Sequence, residues 1–447
     1  MKNVDLVIIG GGAAGMAAAY SARNHGVKDI LIIERNYYLG GVLRQCIHNG
    51  FGLHRFNEDL TGVEFARRYR LMCEEEDIQV MLNSFVIEMN RDKVITVVNP
   101  DEGLLQIKAK AIILAMGCRE RTRNNLLIPG ARGAGIMTAG TAQKYVNING
   151  YLPGNKVVIL GSGDIGLIMA RQFVMEGIEV KAVVEIMPYS SGLPRNMKQC
   201  IEDFDIPVYF NSTISDIHGE ERVDGVTVAR VDENRNIIEG SEFHIDCDLL
   251  MISAGLIPEN ELSEQAGVLM SDSTRGPLVT EDYQTTVEGV FACGNVLHVH
   301  DLVDFVSEEA ELAGERVARY LDRKASSETP THSVLNVLDT ISLVNGYGIG
   351  GIVPQRVRRD LGSETVTFMF RPTSKFKDVR IMVDSVKDGC NMPDNKADRK
   401  NIFEKKGFAL TPGEMIRLDI PKEIIAKADD KIVIYIQEES MKEGENE

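Results

Sequence analysis

Two glycine-rich turns, each followed at the same distance by a glutamate, are the residues of this chain whose types and spacing could do chemistry. In the first, Gly10, Gly12 and Gly15 form G-x-G-x-x-G behind the apolar run 6–9, and Glu34 lies 24 positions after Gly10. In the second, Gly161, Gly163 and Gly166 follow the apolar run 157–160, and Glu185 lies 24 positions after Gly161. The first glycine of such a turn permits the tight bend, and the second lets the backbone approach a pyrophosphate. The third lets the helix pack on its strand, with the helix N-terminus facing the anion. The acidic residue then accepts hydrogen bonds from ribose hydroxyls. One match alone is weak evidence in a chain with 41 glycines. Here both copies sit between a strand and a helix, and both have the acidic partner. Two dinucleotide sites in one chain point to hydride transfer between them.

The elements that must hold these turns repeat as well. After the first turn, alternating segments at 85–89 and 93–98 read as a β-meander and lead to the buried strand 111–117. After the second, segment 225–231 plays the same part and leads to 247–255. The chain therefore reads as α/β, with two Rossmann-like dinucleotide-binding domains that each carry a β-meander. The first spans 1–123 and 256–321, and the second, 124–255, is inserted into it. Residues 322–331 are polar and run into a proline, which reads as a linker. Beyond them, short alternating segments such as 364–370, 379–383 and 431–436, separated by Gly and Pro turns, read as a C-terminal β-sandwich-like domain over 332–447.

Composition bounds the function classes. A chain of 447 residues with 44% hydrophobic residues can bury the cores of about three domains. A net charge of −17 argues against nucleic acid or an anionic membrane as the main partner. The seven cysteines, at 46, 73, 118, 200, 247, 293 and 390, include no C-x-x-C pair, so neither a disulfide framework nor a zinc or iron–sulfur site is expected, and no metal. No apolar run reaches transmembrane length, and the apolar N-terminus ends in the first glycine turn rather than a cleavage region, so a cytoplasmic protein is expected.

This layout resembles the two-dinucleotide-binding-domain flavoproteins, the pyridine nucleotide-disulfide oxidoreductase-like group that includes glutathione reductase, thioredoxin reductase and NADH-dependent ferredoxin reductases. Segment 286–295, ending in Gly294 and Asn295, is similar to the family segment in which a glycine and an acidic residue hold the flavin ribitol and pyrophosphate. Asn295 departs from the family's usual Asp; its amide can still hydrogen-bond a hydroxyl or phosphate oxygen, without the charge. Segments 117–122 and 135–143, with Pro129 and Gly130, resemble the flavin subunits of multi-component dehydrogenases such as opine oxidase, hydrogen cyanide synthase and sarcosine oxidase α. Segment 40–52 resembles the branch found beside anaerobic glycerol-3-phosphate dehydrogenases. The resemblance covers about residues 1–325. It implies FAD at Gly10, Gly12, Ala13, Ala14, Gly15, Glu34, Arg35, Gly41, Val42, Val86, Ala115, Met116, Gly117, Gly294 and Asn295. It implies NAD(H) at Gly161, Gly163, Asp164, Ile165, Gly166, Glu185 and Gly255.

The disulfide reductases of this group place two cysteines where this chain has Leu43 and His48, with the lone Cys46 between them. No internal dithiol relay can form without a neighbouring thiol, so a glutathione, lipoamide or mercuric reductase is excluded. Cys46 and His48 are the candidate catalytic residues, because the resemblance puts this helix start near the flavin ring, where a lowered thiol pKa would make a nucleophile or charge-transfer partner. The plainer reading, which the sequence favours, is a buried inert cysteine and a hydrogen-bonding histidine. His298 and His300 carry the same pair of readings, the functional one being a proton donor at the flavin pyrimidine edge. Arg119, Arg121 and Arg123 read as an anion contact or, preferably, as interdomain salt bridges. Arg356, Arg358 and Arg359 read as a solvated strand face or partner surface.

The function expected from this is an FAD-dependent oxidoreductase moving hydride between NADH and flavin, as the electron-transfer subunit of a dehydrogenase system such as anaerobic glycerol-3-phosphate dehydrogenase. Two alternatives stand beside it. One is a direct flavin dehydrogenase or oxidase of an amino or hydroxy acid, with His48 or His298 as base. The other is an FAD-binding assembly subunit with a vestigial NAD site. The expected partners are the small nucleotide substrate, further copies of this or another chain in an oligomer, and a partner dehydrogenase subunit. The C-terminal domain is expected to be a docking element whose removal leaves FAD bound.

Overall fold

The computed structural model describes residues 1–326, 340–360, 364–387 and 399–438. The chain divides into two units, one of Met1–Arg44, His48–Cys118 and Pro258–Glu447 and one of Gln45–Ile47 and Arg119–Ile257. Residues 119–123, given to the first domain by sequence, thus belong with the second.

The first unit is organised by the strand Lys2–Ile9, whose last residues, Leu6 to Ile9, are almost fully buried. A run buried on both faces is what a central parallel strand requires. It pairs in parallel with Ile30–Ile33 on one side and with the end of Gly103–Leu114 on the other. The latter strand serves two purposes along its twelve residues. Its first half pairs antiparallel with Val94–Asn99, which pairs with Phe85–Met89, so the expected meander is continuous with the parallel sheet. Its second half lies between Lys2–Ile9 and Val290–Ala292. The helix Ala13–Asn24 buries Ala17, Ala18, Ala19 and Ala22, small residues that allow it to pack against the long helix Val303–Ala325. Added side-chain volume there has nowhere to go: a Cβ on Gly314 would lie 3.0 Å from the Ala22 backbone nitrogen.

That long helix continues through Asp322 to Ala325, where the polar composition predicts a linker from 322. Val317 and Ala318 are buried on the same face as Ala310 and Ala313. That buried stripe ends at Ala318, and residues 322–325 extend the helix as an exposed last turn. Residues 327–331 of the expected linker lie outside the described residues.

The C-terminal part of this unit is two facing β-sheets. One orders Arg356–Arg358, Thr340–Asn345, Lys431–Glu438, Phe376–Val386 and Arg399–Leu410; the other orders Ile349–Val353, Thr365–Pro372 and Ile416–Pro421. Alternate residues such as Phe368, Phe370, Ile381, Val383, Ile432 and Ile434 fill a common core between them, the sandwich expected from the period-two patterning.

The second unit holds a five-stranded parallel sheet, in the order Ile136–Thr138, Leu249–Ile252, Lys156–Leu160, Glu179–Val184 and Val208–Tyr209. Its meander, Ser212–His218, Gly225–Arg230 and Phe243–Asp246, forms a separate antiparallel sheet. Among the described residues no helix is long and apolar enough to cross a membrane.

Candidate functional site

Each unit presents one glycine turn, and the two are built alike. Gly10 has φ +107° and Gly161 φ +104°, values that L side chains rarely adopt. A Cβ on Gly10 would strike the carbonyl of Ala115, and one on Gly161 that of Ser253. The first glycine of each turn is therefore required by the strand beside it. Gly15 and Gly166 press against the carbonyls of Gly10 and Gly161 in the same way. The middle glycines differ: a Cβ on Gly12 would meet nothing within 4 Å, and one on Gly163 only Ser191 Oγ at 3.7 Å. Space lies open above the two positions where a pyrophosphate must come close to backbone.

The helices behind the turns start without help from side chains. Gly12 and Gly163 are their N-caps, and neither helix has a side-chain cap hydrogen bond. The first-turn amides of Ala13–Asn24 are left for an anion, with no acidic residue to oppose one. In the second helix, Asp164 stands in the first turn, but its Oδ1 accepts from Leu193 N at 2.8 Å and Asn196 Nδ2 at 2.6 Å. This carboxylate, expected among the cofactor contacts, orders the start of helix Pro194–Cys200. Ile165 beside it is exposed.

The paired glutamates bind back onto their turns. Glu34 Oε2 accepts from Gly11 N at 2.7 Å, and Oε1 accepts from Asn36 N at 2.8 Å and Nδ2 at 2.7 Å. Glu185 Oε2 accepts from Ser162 N at 2.9 Å and Oγ at 2.6 Å, and Oε1 from Met187 N at 2.9 Å. Each is 5% exposed. Carboxylate oxygens have lone pairs left for a ribose hydroxyl, while the buried side fixes the turn's height over the sheet. Arg35 and Val42 point outward, Val86 is buried in its strand, and Ala115, Met116 and Gly117 continue past the strand end beside Gly10. Gly41 packs its α-carbon face toward Gly12, with a would-be Cβ at 3.2 Å. Gly255 follows the strand Leu249–Ile252 with φ +96°, and its carbonyl accepts from Arg121 N at 3.0 Å.

Cys46 is 4% exposed, and burial pushes its thiol up to about 12; Sγ lies 3.8 Å from Gln143 Oε1. A thiol in that setting is protonated at neutral pH, so the nucleophile or charge-transfer reading has no thiolate to use. None of the six described cysteines forms a disulfide. His48 Nδ1 donates to Asn49 O at 3.0 Å, its ring lies 5.0 Å from that of Phe51, and its buried Nε2 has no hydrogen-bond partner.

Behind Gly294 lies a cluster that sequence found only in part. A Cβ on Gly294 would lie 2.7 Å from Ala14 Cβ, so this turn abuts the first nucleotide helix. Its amide donates to Glu309 Oε1 at 2.6 Å, and Glu309 Oε2 accepts from His298 Nε2 at 2.7 Å. His300 stacks obliquely on His298, ring centroids 4.2 Å apart. Burial raises the Glu309 carboxyl, but His300 and His298 more than offset this and hold it well below the usual carboxylate range. Burial, then His300, lowers His298. An imidazole whose Nε2 is committed to Glu309 and which is 4% exposed is not placed to serve as base for an outside substrate. Asn295 is committed too: Oδ1 accepts from His300 N at 3.0 Å, and Nδ2 donates to Cys118 Sγ at 3.6 Å.

Sequence reasoning missed Glu309 and Asp304. Asp304 is 3% exposed and accepts from Gly52 N at 3.0 Å, His54 N at 3.0 Å and Arg55 N at 2.8 Å, clamping the loop that follows His48. A partial signal existed in two acidic residues on the inner face of a helix otherwise lined by Ala and Val. The basic runs are held by local partners. Arg123 Nη2 donates to Gly130 O at 2.9 Å within its own unit. Arg358, 23% exposed, pairs with Glu281 at 2.8 Å and with Asp282. Arg356 donates to Thr340 Oγ1 at 3.0 Å, and Arg359 pairs with Asp430 at 3.1 Å.

Comparison with known proteins agrees with this geometry. Residues 4–315 match the family model described as pyridine nucleotide-disulphide oxidoreductase. Hydrogen cyanide synthase subunit HcnB of Pseudomonas protegens is 28% identical over 295 residues, 62% of this chain and 61% of HcnB. A subunit of opine oxidase from Agrobacterium tumefaciens is 24% identical over 312 residues, 65% of this chain and 61% of its own length. The chain thus spans about three fifths of the length of these relatives. Among solved structures, T. acidophilum thioredoxin reductase superposes with a TM-score of 0.57 at 23% identity, covering 73% of this chain and 100% of that one.

Proposed function

The chain belongs to the pyridine nucleotide-disulphide oxidoreductase family, whose members bind FAD and NAD(P)H, and from that premise we propose that it passes hydride from NADH to FAD as the electron-transfer subunit of a dehydrogenase system. The single observation that carries this reading is the duplicated turn. Two strand–turn–helix units have the same forbidden Cβ at the first glycine, the same open space at the second and a buried glutamate bonded to the turn. A degenerate second site would have no reason to keep that space.

FAD is assigned to the turn at Gly10–Gly15, with Glu34 toward its ribose and Gly294 and Asn295 closing from the other side; NADH is assigned to the turn at Gly161–Gly166 with Glu185. When bound, the flavin supplies the electron sink that accepts hydride and returns the electrons. The chain's own work is to hold the anionic nucleotides on uncapped helix amides and to keep their riboses oriented. The buried neutral thiol of Cys46 and the absence of C-x-x-C leave this protein no dithiol for onward transfer, so electrons leave at the flavin. Support for a dehydrogenase role within a larger complex comes from relatives that are themselves named as subunits, HcnB and the opine oxidase chain. A role beside anaerobic glycerol-3-phosphate dehydrogenase rests on the sequence similarity of segment 40–52.

Purified protein should be yellow, bleach anaerobically with NADH and reduce artificial acceptors. A protein that binds FAD tightly yet is not reduced by NADH would overturn the hydride-transfer assignment. Bleaching by an amino or hydroxy acid in its absence would put a direct dehydrogenase in its place.

A further inference from the structure

We propose that His298, His300 and Glu309 form a binding site for one divalent first-row transition-metal ion, which braces the Gly294 turn against the long helix Val303–Ala325. Nε2 of each histidine and a carboxylate oxygen of Glu309 are the converging atoms, all within 4.8 Å of one another, and all three residues are buried. Two imidazoles and one carboxylate suit zinc or ferrous iron rather than calcium or magnesium.

Proton positions favour a cation here. His300 Nδ1 lies 3.1 Å from the carbonyl oxygen of His298. A carbonyl only accepts, so Nδ1 carries a hydrogen and Nε2 is the ring nitrogen left to face the carboxylate. That nitrogen lies 3.5 Å from Glu309 Oε2, in a side chain 1% exposed, and has no hydrogen-bond partner at that distance. The same oxygen already accepts from His298 at 2.7 Å. A buried nitrogen without a partner beside a buried carboxylate is costly. A positive centre between them removes that penalty.

A metal ion satisfies all three ligand atoms at once, displacing the Nε2 proton of His298 to solvent. The supporting contacts are those a metal site needs. The Nδ1–H of His300 is oriented by a backbone carbonyl, and the second carboxylate oxygen of Glu309 is held by the Gly294 amide at 2.6 Å. Three protein ligands leave a coordination position for a water. The site joins residues before and within the long helix, so occupancy would stiffen the turn that the family uses to hold flavin.

The test uses the FAD-loaded full chain, incubated with zinc chloride, desalted and assayed for metal by mass spectrometry. About one zinc per chain is expected. His300→Ala should retain less than a tenth of that, and so should Glu309→Gln. His244→Ala should be unchanged, since it removes a histidine of the His218–His244 pair in the other unit, the place for adventitious binding. An anomalous difference map of wild-type crystals at the zinc edge should show a peak between His298, His300 and Glu309, and it decides the matter if a variant does not fold. Wild-type protein without stoichiometric zinc, or a map with no peak there, overturns the proposal and leaves a proton on His300 as the positive centre.

Discussion

Glu185 holds Ser162 by two hydrogen bonds to one carboxylate oxygen, 2.9 Å from its amide and 2.6 Å from its hydroxyl. The negative group is thereby locked beneath the second turn, where it cannot swing away from a 2′-phosphate. No arginine occurs among residues 186–194 to compensate. NADH should therefore reduce the flavin with at least about tenfold greater efficiency than NADPH, a difference of about 1.4 kcal/mol. Glu185→Gln should narrow that ratio chiefly by weakening NADH. Stopped-flow reduction with both nucleotides reads this directly, and tighter binding of NADPH would reject the role given to Glu185.

The first turn separates what folding needs from what binding needs. Gly12→Ala places a methyl in open space at φ −79°, so the protein should fold with an unchanged melting temperature but lose FAD on dialysis, its affinity lowered about tenfold or more. Gly10→Ala instead meets the Ala115 carbonyl at a positive φ and should destabilise the apoprotein by a few kcal/mol. Equal FAD retention by Gly12→Ala and wild type would remove the pyrophosphate from this turn.

These turns were legible in sequence because everything that builds them is local. Glycines, helix and glutamate lie within one strand–helix–strand unit, and each residue type has one physical reason to be there. The clamp from Asp304 to Gly52, Glu309 beneath Gly294, and Arg358 on Glu281 join residues far apart in the chain or hide a charge inside a helix. A charged residue read alone is most simply a solvated one, and only the fold shows which charges are enclosed. The end of the long helix failed for a different reason: Asp322, Arg323 and Lys324 are exposed, so their polar side chains read as a linker although the backbone continues the helix through them.

Buried thiols set the alkaline limit of stability. Burial raises Cys46, Cys73 and Cys247 each to about 12 from the unfolded value of 9.0. A raised folded pKa stabilises below the unfolded value and is lost as pH rises toward the folded one. Stability should therefore be insensitive to these thiols up to pH 9 and fall between pH 9 and 12, by up to about 1.4 kcal/mol per pH unit for each thiol. Cys46→Ser should flatten part of that slope in melting experiments while leaving the flavin spectrum and the NADH reduction rate within about threefold of wild type. A large loss of rate, or of a long-wavelength charge-transfer band, would restore Cys46 to the redox chemistry.

The C-terminal sandwich is fastened to the flavin domain more firmly than a separable docking element requires. Val353 is fully buried in the first domain's own core, and Gln355 Oε1 accepts from Val279 N at 3.0 Å. Arg358 neutralises Glu281, whose side chain is 2% exposed. Arg371 pairs with Asp301 and donates to Val299 O at 3.0 Å, on the segment that follows Gly294. Arg358→Ala leaves an enclosed carboxylate without its counter-charge and should cost about 3 kcal/mol. Arg417→Ala breaks a pair with Glu308 that is 30% and 47% exposed and should cost less than about 1 kcal/mol. Ending the chain after residue 326 would open the core at Val353 and free the Gly294 segment together, so the truncated protein should lose FAD rather than keep it. Chemical denaturation of the two variants, with flavin retention by the truncated chain, checks this ordering. A truncated protein that stays yellow and is reduced by NADH would return the sandwich to the part of an independent docking module.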